Sequence, residues 1–157
     1  MRYDEPTREP PLLLQKESNP GLNTVTAYGA GYIEINGASY RHPVRFSPEG
    51  PIEPWAIEDI AQLTLAALQE MAGVETAGSD PMAFLDDLPA RATGNVEVVI
   101  IGTGSRQVML SSALTTPLQR LGIGVEAMST QAAARTYNIL MSEGRRVVVA
   151  LIPAQEV

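Results

Sequence analysis

Residues 96–152 read VEVVIIGTGSRQVMLSSALTTPLQRLGIGVEAMSTQAAARTYNILMSEGRRVVVALI, and this stretch decides the fold. Residues 96–101 and 147–152 are apolar runs of strand length, the first interrupted only by Glu97. Between them, residues 112–121 and 131–143 carry apolar side chains at helical spacing, and residues 123–128 read as a further strand. The order is therefore β-α-β-α-β. Strands that run parallel need long crossovers, usually helices, and near-continuous Val and Ile content means that both faces of the strand are covered. Thr130 is the expected N-cap of the second helix and Gly144 its stop. Pro117 lies inside the first helix, where its missing N–H should bend or shorten it.

Upstream the pattern changes to short alternating pieces at residues 24–28, 32–35 and 39–46, separated by Gly and Asn. Asn36-Gly37 between two such pieces is a hairpin signal, because both residues tolerate the positive φ of a type I′ turn. Pro48, Pro51 and Pro54 then mark a loop leading to Trp55. From Glu58, the residues Ile60, Leu63, Ala67, Leu68 and Met71 predict a helix that Gly73 ends, with Glu58 and Asp59 at its positive pole. Residues 75–93 read as a loop with one turn around residues 82–85. The expected architecture is α/β in three layers: a central mixed sheet with a parallel β-α-β-α-β core from the C-terminal part, and N-terminal antiparallel β-hairpins as an added layer or edge. Residues 1–157 are expected to form a single domain, with residues 1–11 as a flexible lead-in.

The composition narrows function by exclusion. The 157 residues hold 11 Lys plus Arg against 18 Asp plus Glu, a net charge of −7, and Lys16 is the one lysine. Proteins that bind nucleic acid through its phosphates spread cations along a face, so no nucleic-acid partner is expected. The absence of Cys removes thiolate nucleophiles, CxxC redox chemistry and iron–sulfur ligation, and a lone His makes zinc a poor match. No metal and no cofactor are expected. No apolar run approaches the ~20 residues that span a bilayer, and the opening residues lack the apolar core of a secretory signal. A soluble, cytoplasmic protein without membrane insertion is expected.

Ligands of open α/β sheets bind beyond the carboxyl ends of the parallel strands. Two segments reach that edge: Gly102-Thr103-Gly104-Ser105, after the first strand, and Thr130, at the start of the second helix. The two glycines permit a sharp turn with outward amides, so these residues form a candidate anion or small-molecule cradle, against the plainer alternative of a tight turn and an N-cap. The match lacks the third Gly of a dinucleotide fingerprint and the Lys of a P-loop. Arg135, Asn138 and Ser142 fall at helical spacing, a candidate ligand-binding face or an ordinary solvated one, while Tyr137 is expected in the core. His42 is the one side chain that titrates near neutrality, but Arg41, Pro43 and Arg45 surround it in an edge-strand setting, and a triad with Ser47 and Asp59 has no geometric support in sequence. No catalytic residue is assigned. Trp55 is a candidate interface anchor or, equally, a staple between loop and core.

Several of these segments, taken in order, resemble the domain-of-unknown-function 498 family: Val98-Val99-Ile100-Ile101-Gly102-Thr103-Gly104, residues 121–130, Ala134-Arg135-Thr136-Tyr137-Asn138-Ile139-Leu140 and Glu143-Gly144-Arg145-Arg146. Tyr28-Gly29, Ile35-Asn36-Gly37 and Pro54-Trp55 add to the likeness, which spans roughly residues 22–153. Relatives in that family include the mitochondrial complex I assembly factor 3. The resemblance implies a three-layer α/β fold with a mixed sheet and no established catalytic residues or cofactor. Many members carry Cys where this chain has Ala134, so no thiol role transfers.

Two functions from different classes follow as expectations. The first is a non-enzymatic binding or assembly-factor-like protein with a protein partner. The alternative is a small-molecule or anion-binding protein, or an enzyme, that uses the Gly102-Thr103-Gly104 loop.

Overall fold

The computed structural model describes residues 21–75, 91–92 and 94–155; the lead-in at residues 1–11 and the turn expected around residues 82–85 lie outside them. The central feature is a five-stranded mixed sheet. Its strands β8 (Val98–Gly102), β9 (Gly124–Met128) and β10 (Val147–Leu151) run parallel, with β8 between the other two. Strands β4 (Val44–Phe46) and β5 (Glu53–Pro54) extend it in antiparallel fashion beyond β10. A separate three-stranded antiparallel sheet holds β1 (Val25–Gly29), β2 (Tyr32–Ile35) and β3 (Ala38–Tyr40). A short ladder pairs β6 (Val74–Glu75) with β7 (Arg91–Ala92). The mixed α/β class expected from sequence is present.

The period of two along β8 and β10 explains why both strands are apolar throughout. Val98, Ile100, Val147, Val149 and Leu151 join Val25, Ile33 and Ile35 of the small sheet, and Ala133, Ala134, Tyr137 and Met141 of α3 (Thr130–Ser142). Val99, Ile101, Val148 and Ala150 join Trp55, Leu68 of α1 (Leu65–Ala72) and Leu118 of α2 (Ser112–Gln119). Every residue of both strands is buried. Each Val, Ile or Leu so placed contributes about 1.5–3 kcal/mol relative to exposure, so a polar residue on either face would be costly.

The hairpin at Asn36-Gly37 forms as its sequence predicts, with φ of 55° and 84° at the two residues. The stretch 39–46, expected as one strand, is two. β3 pairs with β2, whereas β4 pairs with β10 in the other sheet. Pro43 between them has no N–H for a ladder, and its carbonyl instead accepts from Trp55 N–H at 2.9 Å.

The helix expected from Glu58 is also two pieces. Asp59 caps a short 3-10 turn at Ile60–Gln62 in a capping box, and Leu63 then turns extended at φ −67°, ψ 134°. Thr64 starts α1 afresh, its Oγ1 accepting from Ala67 N–H at 3.1 Å. A hydroxyl that competes for backbone amides favours such a new start over a continued helix. Gly73 ends α1 in the left-handed region at φ 70°. Pro117 lies within α2, which stops at Gln119 rather than residue 121.

Candidate functional site

The carboxyl edge of the parallel strands is built around one threonine. The expected cap of α3, Thr130, is its first helical residue, and Ser129 is the cap, accepting from Ala132 N–H at 3.3 Å. That one-residue shift frees the hydroxyl of Thr130, a residue only 2% exposed, to bridge two loops. It donates to Ile152 O at 2.6 Å and accepts from Gly104 N–H at 2.8 Å, while Thr130 N–H donates to Gly104 O at 2.9 Å. Gly102 is required by this approach of helix to strand. A Cβ there would stand 2.9 Å from both Thr130 Oγ1 and Leu151 Cδ2 and 3.0 Å from Thr130 Cα. Gly104 sits at φ +103°, a conformation that strains any L side chain.

Thr103 N–H donates to Met128 O at 2.8 Å, and the Thr103 hydroxyl reaches Arg106 O at 2.5 Å. Ser105 Oγ accepts from Gln155 N–H at 3.0 Å. The amides of Thr103, Gly104 and Thr130, three of the donors of the expected cradle, thus tie the loops to one another. Beside this lattice lies a cavity of about 270 Å³, lined by Thr103, Gly104, Ser105 and Arg106 together with Glu58 and Asp59. It adjoins a second of about 440 Å³ that carries Arg41 and His42, the two sharing Glu58, Ile152, Pro153 and Gln155.

Glu58, Arg106 and His42 therefore border one cleft, a convergence that sequence reading missed because it depends on where Pro153 and Gln155 leave β10. His42 is exposed, with Nδ1 3.0 Å from Pro43 O and its ring edge-on to Tyr40 at 6.0 Å. Ser47 lines a different cavity, with Arg145 and Arg146, so the Ser47-His42-Asp59 triad does not assemble.

Arg135 and Asn138, three apart on α3, differ in burial. Arg135 is exposed, whereas Asn138 is buried at 7% and holds both backbone groups of Val25. A polar side chain at this spacing is expected either on a ligand-binding face or satisfied by a backbone group at a solvated one; the backbone group is that of Val25, and the position is buried. Its neighbour Tyr137 is fully buried and donates from its hydroxyl to Asn23 O at 2.7 Å; burial pushes this phenol well above its ordinary pKa. Trp55 is 7% exposed and lies in the apolar cluster with Leu63 and Leu68.

The loop continues along the rim of the cleft, with Val108 also on the lining of the smaller cavity. Val108 is 39% exposed and Met109 79%, and Gln107 Nε2 anchors the segment by donating to Ala127 O at 3.1 Å. Among the described residues no helix is long and apolar enough to cross a membrane.

The family model described as "Protein of unknown function (DUF498/DUF598)" matches residues 25–152. The chain belongs to this family. The match runs from the start of β1 to the residue after β10, so it includes the glycine loop, Thr130 and Asn138. An uncharacterised protein of Rhodobacter capsulatus is 34% identical over 133 residues, 85% of this chain and 86% of that protein. The human protein named NADH dehydrogenase [ubiquinone] 1 alpha subcomplex assembly factor 3 is 41% identical over 141 residues, 90% of this chain and 66% of its own. A crystal structure of a Bordetella parapertussis protein is 48% identical, with a TM-score of 0.70 over 85% of this chain and 97% of that one.

Proposed function

We propose that this DUF498/DUF598 member is a non-enzymatic protein-binding factor, a single three-layer α/β domain acting in the cytoplasm on the assembly of a protein complex. One observation carries this reading: the exposed Val108-Met109 pair stands on a loop whose neighbours are locked to Thr130, Met128 and Ile152. A rigid base lowers the ordering cost of association, and Met, unbranched and polarisable, suits a contact surface that adapts to its partner. The name of the human relative supports an NADH dehydrogenase subunit as that partner.

The test is the amount of assembled NADH dehydrogenase, measured on native gels, in cells that lack the chain. Wild type should restore it and V108S/M109S should not, although that double variant keeps the wild-type melting temperature. Equal amounts of the assembled enzyme with and without the chain overturn the proposal. Cell fractionation checks the cytoplasmic location.

A second reading is favoured by the cleft itself, where Thr103, Gly104, Ser105 and Arg106 line a cavity beside Glu58 and Asp59. There the chain would hold a small molecule or anion. Thermal-shift titration with nucleotides, phosphates and carboxylates tests it: a shift abolished by R106A supports the site, and a shift R106A leaves unchanged removes it.

A further inference from the structure

The opposite end of the parallel strands holds a cavity of a different kind. It measures about 430 Å³ and opens where the loop after β4, the approach to β8 and the α3-to-β10 turn meet. Leu22, Val96, Met141 and Val147 form an apolar wall, with Met141 and Val147 1% and 2% exposed. Arg145 and Arg146 also line it, and Glu49 lies on the same lining.

The two guanidiniums are held in place. Arg145 Nε donates to Glu97 Oε1 at 2.7 Å, Arg146 Nη1 lies 3.2 Å from Glu97 Oε2, and Arg146 Nε donates to Asn95 O at 2.5 Å. The turn that carries them is itself fixed. Gly144 takes φ +79°, its N–H donates to Met141 O at 3.0 Å, and Arg145 N–H donates to Leu140 O at 3.0 Å. Two cations thus share Glu97, and Glu49 on the same lining balances the second, so the group carries no net charge; what the site offers an anion is guanidinium N–H donors, five on each arginine, that Glu97 and Asn95 do not all take up.

We propose that this cavity binds an aliphatic monocarboxylate of about ten carbons, a ligand in keeping with the size and apolar lining of small-molecule sites. The chain lies along Leu22, Val96, Met141 and Val147, and the carboxylate takes N–H donors of Arg145 and Arg146. A single carboxylate can take these donors while facing Glu49 with one charge, whereas a dianion would face it with two. A neutral chain would give up the charge-assisted hydrogen bonds to two guanidiniums that stand 44% and 60% exposed.

The experiment is an NMR titration of the full-length, ¹⁵N-labelled chain with sodium decanoate, kept below the concentration at which decanoate aggregates. Saturable shifts centred on Leu22, Val96 and Val147 are expected. R145Q/R146Q should weaken binding about tenfold or more, the effect of losing charge-assisted hydrogen bonds, and 1-decanol should bind more weakly than decanoate. E49Q should bind about two- to fivefold tighter, because it removes an exposed like charge. Shifts that fail to saturate, centre elsewhere or are untouched by R145Q/R146Q overturn the proposal. Should R145Q/R146Q lose its native spectrum, E49Q decides: tighter binding supports the site, and equal or weaker binding overturns it.

Discussion

Asn138 completes the open edge of β1. Its Oδ1 accepts from Val25 N–H at 3.0 Å and its Nδ2 donates to Val25 O at 2.8 Å, so one carboxamide does for this strand what a neighbouring strand would do. The two residues lie 113 apart in the chain. The contact joins α3 to the small sheet at the point where β1 shifts register, between Val25 and Ala27. Asn138→Ala would leave a buried donor and a buried acceptor unpaired, at roughly 3 kcal/mol. Urea unfolding of wild type and N138A checks this, and the midpoint should fall with an unchanged slope. Asn138→Asp should be no rescue, since a carboxylate can accept from Val25 N–H but cannot donate to its carbonyl.

That contact also marks where the sequence stops being legible. The strand-helix rhythm of residues 96–152 is local: Val and Ile runs, a Ser-Thr helix start and Gly144 each speak for their own segment. The Asn36-Gly37 hairpin is local too, and it forms as expected. Asn138 and Thr130 acquire their roles from partners far along the chain, Val25 in one case and Ile152 in the other. Local signals also misled where two of them competed. The alternation of residues 39–46 outweighed Pro43, and the helical spacing after Glu58 outweighed the capping hydroxyl of Thr64, yet in both places the breaker prevailed. For Trp55 the residue type alone permitted both an anchor and a staple, and its position among Leu63 and Leu68 is a tertiary fact.

Tyr137 ties the same helix to the chain just before β1, donating to Asn23 O at 2.7 Å. Tyr137→Phe removes the hydroxyl and leaves that carbonyl unpaired, for a loss of about 1–2 kcal/mol near neutral pH. Burial raises the phenol pKa in the folded chain, whereas the unfolded chain releases the proton near pH 10. A raised folded pKa means that the contribution is complete below the unfolded value and is lost as pH climbs above it. The stability difference between wild type and Y137F, measured by urea unfolding from pH 8 to pH 11, should therefore shrink above about pH 10. A constant difference would mean that Tyr137 ionises alike in both states.

The Thr130 bridge makes a sharper comparison. Thr130→Val keeps the shape and deletes the hydroxyl, leaving Gly104 N–H and Ile152 O without their partner, at roughly 2–3 kcal/mol. Thr130→Ser should recover most of it. Gly102→Ala should destabilise as well, because its Cβ would press on Thr130 Cα at 3.0 Å, a backbone atom that cannot swing aside. Thermal unfolding of the three variants should give the order Thr130→Ser above Thr130→Val, with Gly102→Ala below wild type.

Glu97 sits between Arg145 and Arg146, and the hydrogen bond from Arg145 holds its carboxyl below the ordinary carboxylate range, helped by Arg146. A depressed folded pKa contributes stability that is present above the unfolded pKa and disappears as pH falls through the folded one. Glu97→Gln should therefore cost stability at pH 7, and the gap to wild type should close on the acid side of about pH 4, where the wild-type carboxyl takes up its proton. The pair is exposed to solvent, with side-chain accessibility of 28% at Glu97 and 44% at Arg145, so added salt should narrow the gap at pH 7 as well. Urea midpoints of both proteins from pH 3 to pH 7, at low and high salt, check this. A gap that persists unchanged at pH 3 would mean that the Glu97 charge contributes nothing and that its shape alone holds the turn before β10.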